Sequence, residues 1–403
     1  MKVVFKFHAF PTVSETFITW NIVAAIGAGY DVNLLVNQVN SMGQASQQDL
    51  IEQHGLMSRI VRLNPPKGLF PRIKRFLELI SNGRRLGRYV RYTMLSGRLS
   101  VANLYWLHFY EQFEQTEVFH VHFEPNLYPL LMMKRLGVIT GRILLTFHGY
   151  DAHAVLEQKR PNYLINFKQY VDGVSVNSRY LKEVLIAQGF EETMIQVIPM
   201  GVETNYFRPS MTTKSKRPFK LLSVGRLIPL KGHAYGLQVV RTLLDRGLAV
   251  EYSIVGAGRA LNELKDQAQK LGVQRQVHFL GSRTQDEIRE LLNQQHLLLM
   301  TSVFDGERRE AFGIVSLEAQ SMSLPVVAFD SGGVPDTMQD GHTGFLVPEF
   351  DVGAMADKVQ LLATDPDLYE KFSHNARSFA VEALDLESTN AAYLAWYQTE
   401  NKD

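Results

Sequence analysis

Two glutamates flank a predicted helix entry in a pattern suited to binding a phosphorylated sugar. Glu310 and Glu318 are separated by seven residues, and Gly313 stands between them. Apolar residues at helical spacing follow Gly313, and a glycine at a helix start lets a ligand approach the free N–H groups there. Those N–H groups and the helix dipole favour an anion. Since carboxylates accept from sugar hydroxyls, the segment predicts a site for a phosphorylated sugar compound.

A second motif supplies positive charge for such a ligand. The sequence GRLIPLKG follows a predicted strand and contains Gly225, Arg226 and Lys231. Glycine at the carboxyl end of a strand allows a ligand close to the backbone. A guanidinium binds phosphate oxygens as a fork and an ammonium binds them as a point charge. We therefore expect Arg226 and Lys231 to bind a diphosphate; a surface turn with solvated charges is the alternative.

Two further loops follow predicted strands in the second half of the chain. VGAGRAL, which includes Gly256, resembles part of a dinucleotide fingerprint, but Leu261 replaces the third glycine and the required acid is absent. A tight turn is therefore favoured over NAD binding, and close approach to a nucleotide stays open. FLGSR ends in Ser282 and Arg283, whose backbone could pair with a base edge or form an ordinary loop.

Histidines stand at predicted strand ends in the first half. In TFHGYD, a glycine directly follows His148 and would give it access to a ligand, so we expect it to donate to a sugar hydroxyl or a phosphate oxygen. A structural histidine that is satisfied within the protein is the alternative. His120 and His122 alternate along one strand and share a face. A metal pair would need a third ligand, so we expect His122 to line a ligand cleft.

The loop after the first predicted strand is AFPTVSETFI. Ser14 is predicted to cap a helix that starts at Glu15, with the hydroxyls of Ser14 and Thr16 toward an acceptor. A plain helix cap without a binding role is the alternative.

The elements that must position these residues alternate between apolar strands and amphipathic helices. Such alternation predicts α/β architecture with parallel sheets covered by helices. The polar segment Phe207 to Pro218 is the predicted linker. It separates a domain of residues 1–207 from one of residues 208–384, and a helix in residues 385–403 docks on an existing domain. Two doubly wound domains normally bind a ligand at the carboxyl ends of their strands, in the cleft between them.

Composition narrows the class of protein. The 403 residues are 45% hydrophobic and 21% charged, as expected of a globular enzyme. The absence of cysteine excludes disulfides and thiolate chemistry. No apolar run reaches the roughly 18 residues that span a bilayer, and MKVVFKF is interpreted as a strand and not as a signal peptide. We expect a cytoplasmic protein.

Positive charge is concentrated in one stretch. Between Lys67 and Arg98 there are nine basic residues and one acid, Glu78. Apolar residues interleave with these charges, a pattern typical of an interfacial helix on an anionic membrane. A solvated protein face is the alternative. Nucleic-acid binding is disfavoured because no recognition motif accompanies the charge.

Taken together, the motifs resemble glycosyltransferase family 4. The resemblance is carried by EAFGIVSLE, GRLIPLKG, HGYD and SMSLPVVAFDSGGVPD. It implies retaining, nucleotide-sugar-dependent chemistry and a GT-B fold, in which two Rossmann-like doubly wound domains face each other across a cleft. The HAFPTVSETFI loop replaces the usual glycine pair and is similar to members that build exopolysaccharides of the colanic-acid type.

The resemblance also implies a role for each site residue. Glu310 would contact the donor sugar, Glu318 the ribose and His148 the sugar or its phosphate, and the catalytic group would be Glu310, His148, Arg226 and Lys231. The implied donor site comprises Gly225, Arg226, Lys231, Gly256, Ser282, Arg283, Glu310, Ala311, Phe312, Gly313, Ile314 and Glu318. The implied acceptor side comprises Ser14, Glu15, Thr16 and His122, and the helix in residues 385–403 would cross back to the first domain.

These implications predict a specific reaction. A hexose would pass, with retained configuration, from a nucleotide diphosphate sugar to a lipid-linked or growing extracellular-polysaccharide glycan, with a UDP-sugar favoured over a GDP-sugar. No metal or other cofactor is expected, and the enzyme would lie on the inner face of the cell membrane. The alternatives are a nucleotide-sugar epimerase of the same fold, an inactive sugar-binding scaffold and an NAD oxidoreductase. Arg308 and Arg309 could meet a lipid-linked phosphate or be solvated.

Overall fold

The chain folds into two compact units. The computed structural model describes residues 1–12, 15–45, 47–64, 66–154, 163–210 and 218–399. The first unit contains Met1–Val176, Leu185–Gln196 and Tyr393–Asp403, and the second contains Asn177–Val184 and Val197–Ala392. Ser14 and most of the predicted linker, residues 211–217, lie outside the described residues.

A seven-stranded sheet forms the centre of the first unit. Its strand order is β3-β2-β1-β4-β5-β6-β7, and every pairing with a described register is parallel. The strands are β1 (Lys2–Phe10), β2 (Asp31–Val39), β3 (Ile60–Val61), β4 (Val118–His122), β5 (Arg142–Phe147), β6 (Gly173–Val176) and β7 (Ile195–Val197). The helices in residues 1–196 are α1 (Thr16–Gly27), α2 (Gln48–Gln53), α3 (Leu69–Ile80), α4 (Gly83–Ser96), α5 (Val101–Glu111), α6 (Leu130–Arg135), α7 (Tyr150–Ala154), α8 (Tyr163–Tyr170) and α9 (Arg179–Ala187), of which α9 belongs to the second unit up to Val184.

A six-stranded parallel sheet forms the centre of the second unit. Its order is β10-β9-β8-β11-β12-β13. The strands are β8 (Phe219–Val224), β9 (Val250–Val255), β10 (Val277–Gly281), β11 (Leu297–Met300), β12 (Val326–Phe329) and β13 (Gly344–Val347). The helices are α10 (His233–Asp245), α11 (Leu261–Lys270), α12 (Gln285–Gln294), α13 (Ile314–Ser321), α14 (Val352–Thr364), α15 (Pro366–Ala383) and α16 (Leu386–Gln398), of which α16 belongs to the first unit from Tyr393 onward.

Both sheets follow from apolar strands that are covered on both faces. In β11 and β12 every residue is buried, as expected for the centre of a parallel sheet. Successive residues of β8 point to opposite faces, so Leu221 and Leu222 belong to two different buried clusters. Both sheets are doubly wound, which confirms the predicted fold class.

The strand order reverses direction once in each sheet. In the first unit the reversal lies between β1 and β4, and in the second it lies between β8 and β11. Loops that leave the carboxyl ends of such a strand pair diverge and leave a crevice, where α/β proteins bind ligands. The predicted motifs at 225–232 and 310–318 follow β8 and β11.

Two local features differ from the sequence-based description. Helix α1 begins at Thr16, with Glu15 as its N-cap residue and no side-chain cap hydrogen bond. Phe207, the first residue of the predicted linker, is buried in the second unit, and its carbonyl accepts from Ser321 Oγ (2.6 Å) and from Arg377 (3.0 Å). The chain therefore joins the second unit before residue 207.

Candidate active site

The loops that follow β8 and β11 are joined to each other at the reversal point of the second sheet. The backbone N–H of Val303 donates to the carbonyl of Leu230 (2.9 Å), and Thr301 Oγ1 donates to the carbonyl of Lys231 (3.0 Å). Gly232 has no room for a side chain, because a Cβ there would lie 1.9 Å from the Thr301 carbonyl oxygen. These contacts fix the position of Lys231 relative to the loop that carries Glu310.

An ion pair between Lys231 and Glu310 lies at this junction. The ammonium of Lys231 donates to Oε2 of Glu310, and Ser302 Oγ donates to the same oxygen at 3.1 Å. The two side chains of the pair are only 17% and 12% exposed. Burial by itself raises the pKa of Glu310, but the charge and hydrogen bonds of Lys231 and Ser302 outweigh it and hold that pKa below its usual range. Glu310 is therefore a carboxylate at neutral pH.

Helix α13 begins four residues after Glu310, and its N-cap residue supplies no side-chain cap hydrogen bond. Gly313 is the N-cap residue, with a φ of +98° in the left-handed region that favours glycine. A Cβ at Gly313 would also lie 2.2 Å from Cε of Met300. The first turn of the helix contains no acidic residue, so no carboxylate of this turn competes with an anion for the helix N-terminus.

The loop after β12 supports the backbone of the Glu310 segment. The N–H of Gly333 donates to the Glu310 carbonyl at 2.8 Å. A Cβ at Gly333 would lie 2.0 Å from the Ala311 carbonyl oxygen, and one at Gly332 would lie 2.2 Å from that of Glu310. The glycines of the SGGVPD motif are therefore needed for close packing behind the site. This supporting role was missed in the sequence analysis, although the glycine pair was its visible signal.

Glu318 lies in the second turn of α13, and its carboxylate has no partner group in the described part of the chain. The side chain is partly buried, and within the described residues it makes no hydrogen bond or ion pair. Burial raises the pKa of Glu318 to about 7. A partly buried carboxylate without a partner is costly unless a ligand supplies donors, so Glu318 is suited to accept hydroxyl hydrogen bonds.

The raised pKa predicts a pH dependence of nucleotide binding. If ribose hydroxyls donate to the Glu318 carboxylate, affinity for UDP should rise severalfold between about pH 6 and about pH 8, because the carboxylate form becomes populated over that range. Isothermal titration calorimetry at several pH values checks this. Glu318→Gln should bind more weakly at high pH and lose the enzyme's part of the pH dependence. An identical pH profile for both proteins would remove Glu318 from the binding site.

The other predicted donor-site residues lie on loops at the same edge of the second sheet. Arg226 is exposed in the loop after β8, and its charge helps to lower the pKa of Glu310. Gly256 packs against that loop, since a Cβ there would lie 1.9 Å from the Gly225 carbonyl oxygen. Packing therefore explains the glycine that resembled part of a dinucleotide fingerprint. Ser282 and Arg283 are exposed after β10.

The arginines near Glu310 are engaged within the protein. Arg309 pairs with Glu349 at 3.0 Å, and its guanidinium lies 4.8 Å from the ring centroid of Phe304. The backbone N–H of Arg308 donates to Asp305 Oδ1 at 3.0 Å, which closes a turn. The contacts of Arg309 thus stabilise the conformation of the loop that precedes Glu310.

Arg283, in the loop after β10, also forms an ion pair within the protein, with Glu287 at 3.0 Å.

His148 lies at the carboxyl end of β5 in the first unit, where Asp151 holds the surrounding backbone. Asp151 Oδ1 accepts from the N–H groups of His148 and Gly149, both at 3.0 Å, and Oδ2 accepts from the N–H of Glu124 at 3.1 Å. Burial raises the pKa of Asp151 to about 6 despite these bonds. One carboxyl group thus joins the loops that follow β4 and β5.

The structure brings His122 against His148. His122 Nδ1 lies 3.1 Å from His148 Nε2, and His122 is fully buried. His120 belongs to a separate polar chain, with Nδ1 at 2.6 Å from the Tyr397 hydroxyl of α16 and Nε2 at 2.8 Å from Thr146 Oγ1. Tyr397 lies near the end of α16, so the last turn of that helix contacts this strand.

The remaining predicted acceptor-side residues lie at the start of α1. Glu15 and Thr16 are partly buried, and Thr12 Oγ1 approaches Glu15 Oε2 at 3.5 Å. Burial raises the pKa of Glu15 above its usual range. Their contact with an acceptor stays a prediction. No group of three or more His, Asp or Glu side chains is arranged to hold a metal ion in the part of the chain that the structure describes.

Comparisons with known proteins identify the two halves of the chain. Residues 48–206 match the family described as Glycosyltransferase Family 4, and residues 209–379 match Glycosyl transferases group 1. WcaL of Salmonella typhimurium, provisionally named as a colanic acid biosynthesis glycosyltransferase, is 25% identical over 99% of this chain and 100% of its own length. The amylovoran biosynthesis glycosyltransferase AmsK of Erwinia amylovora is 26% identical over 88% of this chain and 89% of its own. Among solved structures, Alr3699/HepE of Anabaena in complex with UDP and glucose has a TM-score of 0.71 and 18% identity, covering 98% of this chain and 99% of that one.

Proposed function

Because the chain is a glycosyltransferase that joins a family 4 domain to a group 1 domain in a GT-B fold, we propose that it moves a hexose from a UDP-hexose to a glycan with retained configuration. The acceptor is a lipid-linked or growing extracellular polysaccharide. This acceptor class is supported by the names of WcaL and AmsK, which refer to colanic acid and amylovoran biosynthesis.

The observation that carries the proposal is the arrangement at the reversal point of the second sheet. An uncapped helix N-terminus, the Lys231 ammonium and the exposed Arg226 supply positive charge for a diphosphate. Glu310 precedes that helix as a carboxylate, and Glu318 follows about two turns later, with no partner for its side chain among the residues that the structure describes. A nucleotide sugar requires positive charge for its diphosphate and hydrogen-bond acceptors for the hydroxyls of its sugar and its ribose.

The chemistry follows from these charges. The bond between the anomeric carbon and the diphosphate oxygen breaks first, and Arg226, Lys231 and the N–H groups of α13 stabilise the leaving diphosphate. The Glu310 carboxylate stabilises positive charge on the sugar ring. The acceptor hydroxyl then forms the new bond on the same face and passes its proton to the departing diphosphate. These cationic groups serve the role of a metal ion, and His148 contributes a hydrogen bond to the sugar or its phosphate.

A donor panel tests the proposal. Purified protein is incubated with UDP- and GDP-sugars, and slow hydrolysis to the free nucleoside diphosphate is followed together with the anomeric configuration of the released sugar by proton NMR. We expect one UDP-hexose to be hydrolysed fastest, with release of the retained anomer. Preference for a GDP-sugar would overturn the donor assignment, and release of the inverted anomer would overturn retention. Binding of no sugar nucleotide would overturn the function as a whole.

We further propose that α3 and α4 dock on an anionic membrane. No helix in the described part of the chain is long and apolar enough to cross a bilayer. Phe70, Ile73 and Leu77 recur at helical spacing on α3 and are 84%, 48% and 57% exposed. The exposed Arg72 and Lys74 flank them. An apolar stripe beside basic side chains fits the boundary between anionic headgroups and acyl chains.

Not all of the basic residues in this stretch are available to a membrane. Arg85 is 13% exposed and pairs with Glu111 at 2.6 Å, so it stabilises the packing of α4 on α5. Arg75 contacts Glu78 and His108. A charge-reversal test that includes Arg85 would therefore confuse membrane binding with unfolding.

Replacing the apolar stripe separates the two effects. Phe70→Ser with Leu77→Ser should abolish flotation with anionic vesicles and leave the thermal midpoint of unfolding nearly unchanged, because both side chains are exposed. Leu361→Ser, which alters a 39% exposed leucine on α14, is the matched control and should float like the wild type. Equal flotation of all three proteins, or none for the wild type, would refute membrane docking.

A further inference from the structure

His148 is confined by aromatic rings as well as by its backbone. The ring centroids of Phe17 and Phe123 lie 4.6 Å and 4.5 Å from that of His148. Phe123 has a φ of +65°, an unusual backbone conformation for a bulky residue. Such a conformation persists only where the surrounding structure enforces it, and it recurs at functional sites. Here it places the Phe123 ring against His148.

His122, the last residue of β4, meets His148 edge to edge. The two rings are inclined by 22° and their centroids are 5.3 Å apart, while the nitrogens Nδ1 of His122 and Nε2 of His148 are 3.1 Å apart. The centroid separation nearly equals the nitrogen separation plus the two ring radii. The nitrogens therefore point at each other, as a linear hydrogen bond requires. The His122 carbonyl accepts from Asn126 Nδ2 at 2.8 Å, which fixes the end of the strand.

Both rings are neutral, so a single proton lies between them. Burial lowers the pKa of His148 to about 3 and that of His122 well below its usual value. One ring must donate and the other must accept. Each neutral ring carries one proton, on Nδ1 or on Nε2. The surroundings of the two nitrogens outside this contact, Nε2 of His122 and Nδ1 of His148, therefore determine which ring is the donor.

The environment of His122 Nε2 determines which of the two histidines donates the hydrogen bond. This nitrogen is buried and has no hydrogen-bond partner among the described residues. His120, whose ring centroid is 4.1 Å from that of His122, uses both of its nitrogens on Tyr397 and Thr146. A proton on His122 Nε2 would be a buried, unpaired N–H group, which is rarer and more costly than a buried lone pair. The proton of His122 is therefore on Nδ1, which donates to His148.

We propose that His122 is a positioning residue: its Nδ1–H donates to Nε2 of His148 and holds His148 in the tautomer that carries its proton on Nδ1. Within the described residues Nδ1 of His148 makes no hydrogen bond, and the side chain is partly exposed. His148 is thus a neutral hydrogen-bond donor of fixed direction, suited to a sugar hydroxyl or a phosphate oxygen. The identity of the ligand depends on the proposed function, whereas the assignment of the His148 tautomer follows from the contacts of the two rings alone.

Nitrogen-15 NMR of protein labelled in histidine tests the tautomer directly, because ring nitrogens with and without a proton have well separated shifts. His148→Gln assigns the signals of His148. Three variants of His122 then test whether a donor at the position of Nδ1 is needed. In His122→Asn the amide nitrogen replaces Nδ1, in His122→Gln it lies nearer to Nε2, and His122→Leu removes every donor.

We expect wild-type His148 to carry its proton on Nδ1. His122→Leu should give a mixture of His148 tautomers and about a tenfold lower kcat for donor hydrolysis. His122→Asn should keep the wild-type tautomer and a kcat near that of the wild type. His122→Gln should resemble the leucine variant. A wild-type His148 protonated on Nε2, or an unchanged tautomer in His122→Leu, would overturn the proposal. If no sugar nucleotide is hydrolysed, the proposed function fails while the NMR result still decides the role of His122.

Discussion

Glu310→Gln is expected to lower the rate of sugar transfer and donor hydrolysis by about 10²–10³-fold, the usual effect of removing one preorganised charge from a reacting centre. Glutamine keeps the shape of the side chain and one acceptor for Lys231, so the loop should keep its conformation. The substitution removes the negative charge that stabilises the sugar ring as the diphosphate departs. The loss should therefore appear in kcat, measured by release of the nucleoside diphosphate.

Nucleotide affinity should change little in the same variant, because the ribose and the diphosphate bind elsewhere in the proposed site. Titration calorimetry with UDP measures this second quantity. Glu307→Gln is the matched control, since Glu307 is exposed on the same loop and should leave both quantities unchanged. A kcat within about threefold of the wild type would remove Glu310 from the mechanism.

The central strands and two of the edge strands, β7 and β10, were predictable from sequence, whereas the other two edge strands were not. Eleven of the thirteen strands coincide with apolar runs in the sequence, and most of these runs are buried on both faces of a parallel sheet. The two missed strands, β3 (Ile60–Val61) and β13 (Gly344–Val347), are edge strands of two and four residues. The apolar runs at these two positions are only Ile60–Val61 and residues 345–347, which are too short to show a pattern, so their pairing depends on the strand beside them.

The composition of the site could be predicted, but its internal pairing could not. The motifs place Glu310 and Lys231 at the ends of two strands, yet their contact depends on the adjacency of β8 and β11, which are far apart in the chain. The same reason hid the packing of Phe123 on His148. Ser302 stands in the same loop as Glu310, and the conformation of that loop brings its hydroxyl to the carboxylate. Sequence spacing indicates which residues come after a strand, whereas the order of strands in the sheet decides which loops meet.

Lys231→Met tests the pairing itself, through stability. The substitution leaves the Glu310 carboxylate with Ser302 and without its cation. Breaking a fully buried ion pair costs about 3–5 kcal/mol, and the slight exposure of both side chains reduces the expected loss in the free energy of unfolding to about 2–3 kcal/mol near neutral pH. Urea denaturation measures it. The double variant Lys231→Met with Glu310→Gln should recover much of the loss, because no unpaired charge is left.

The pH dependence of that stability should reverse in sign. In the wild type the pKa of Glu310 is held below its ordinary value of 4.5, so this group stabilises the fold above that pH, and the contribution is lost as the pH falls through the lowered pKa. Without Lys231 the effect of burial dominates and raises the pKa of Glu310. The single variant should then lose stability relative to the wild type as the pH rises from about 5 to about 8, through the raised pKa. The double variant, which has no titrating group at position 310, should show no such relative change. If the difference in the free energy of unfolding between Lys231→Met and the wild type were constant across this pH range, Lys231 would not control the pKa of Glu310.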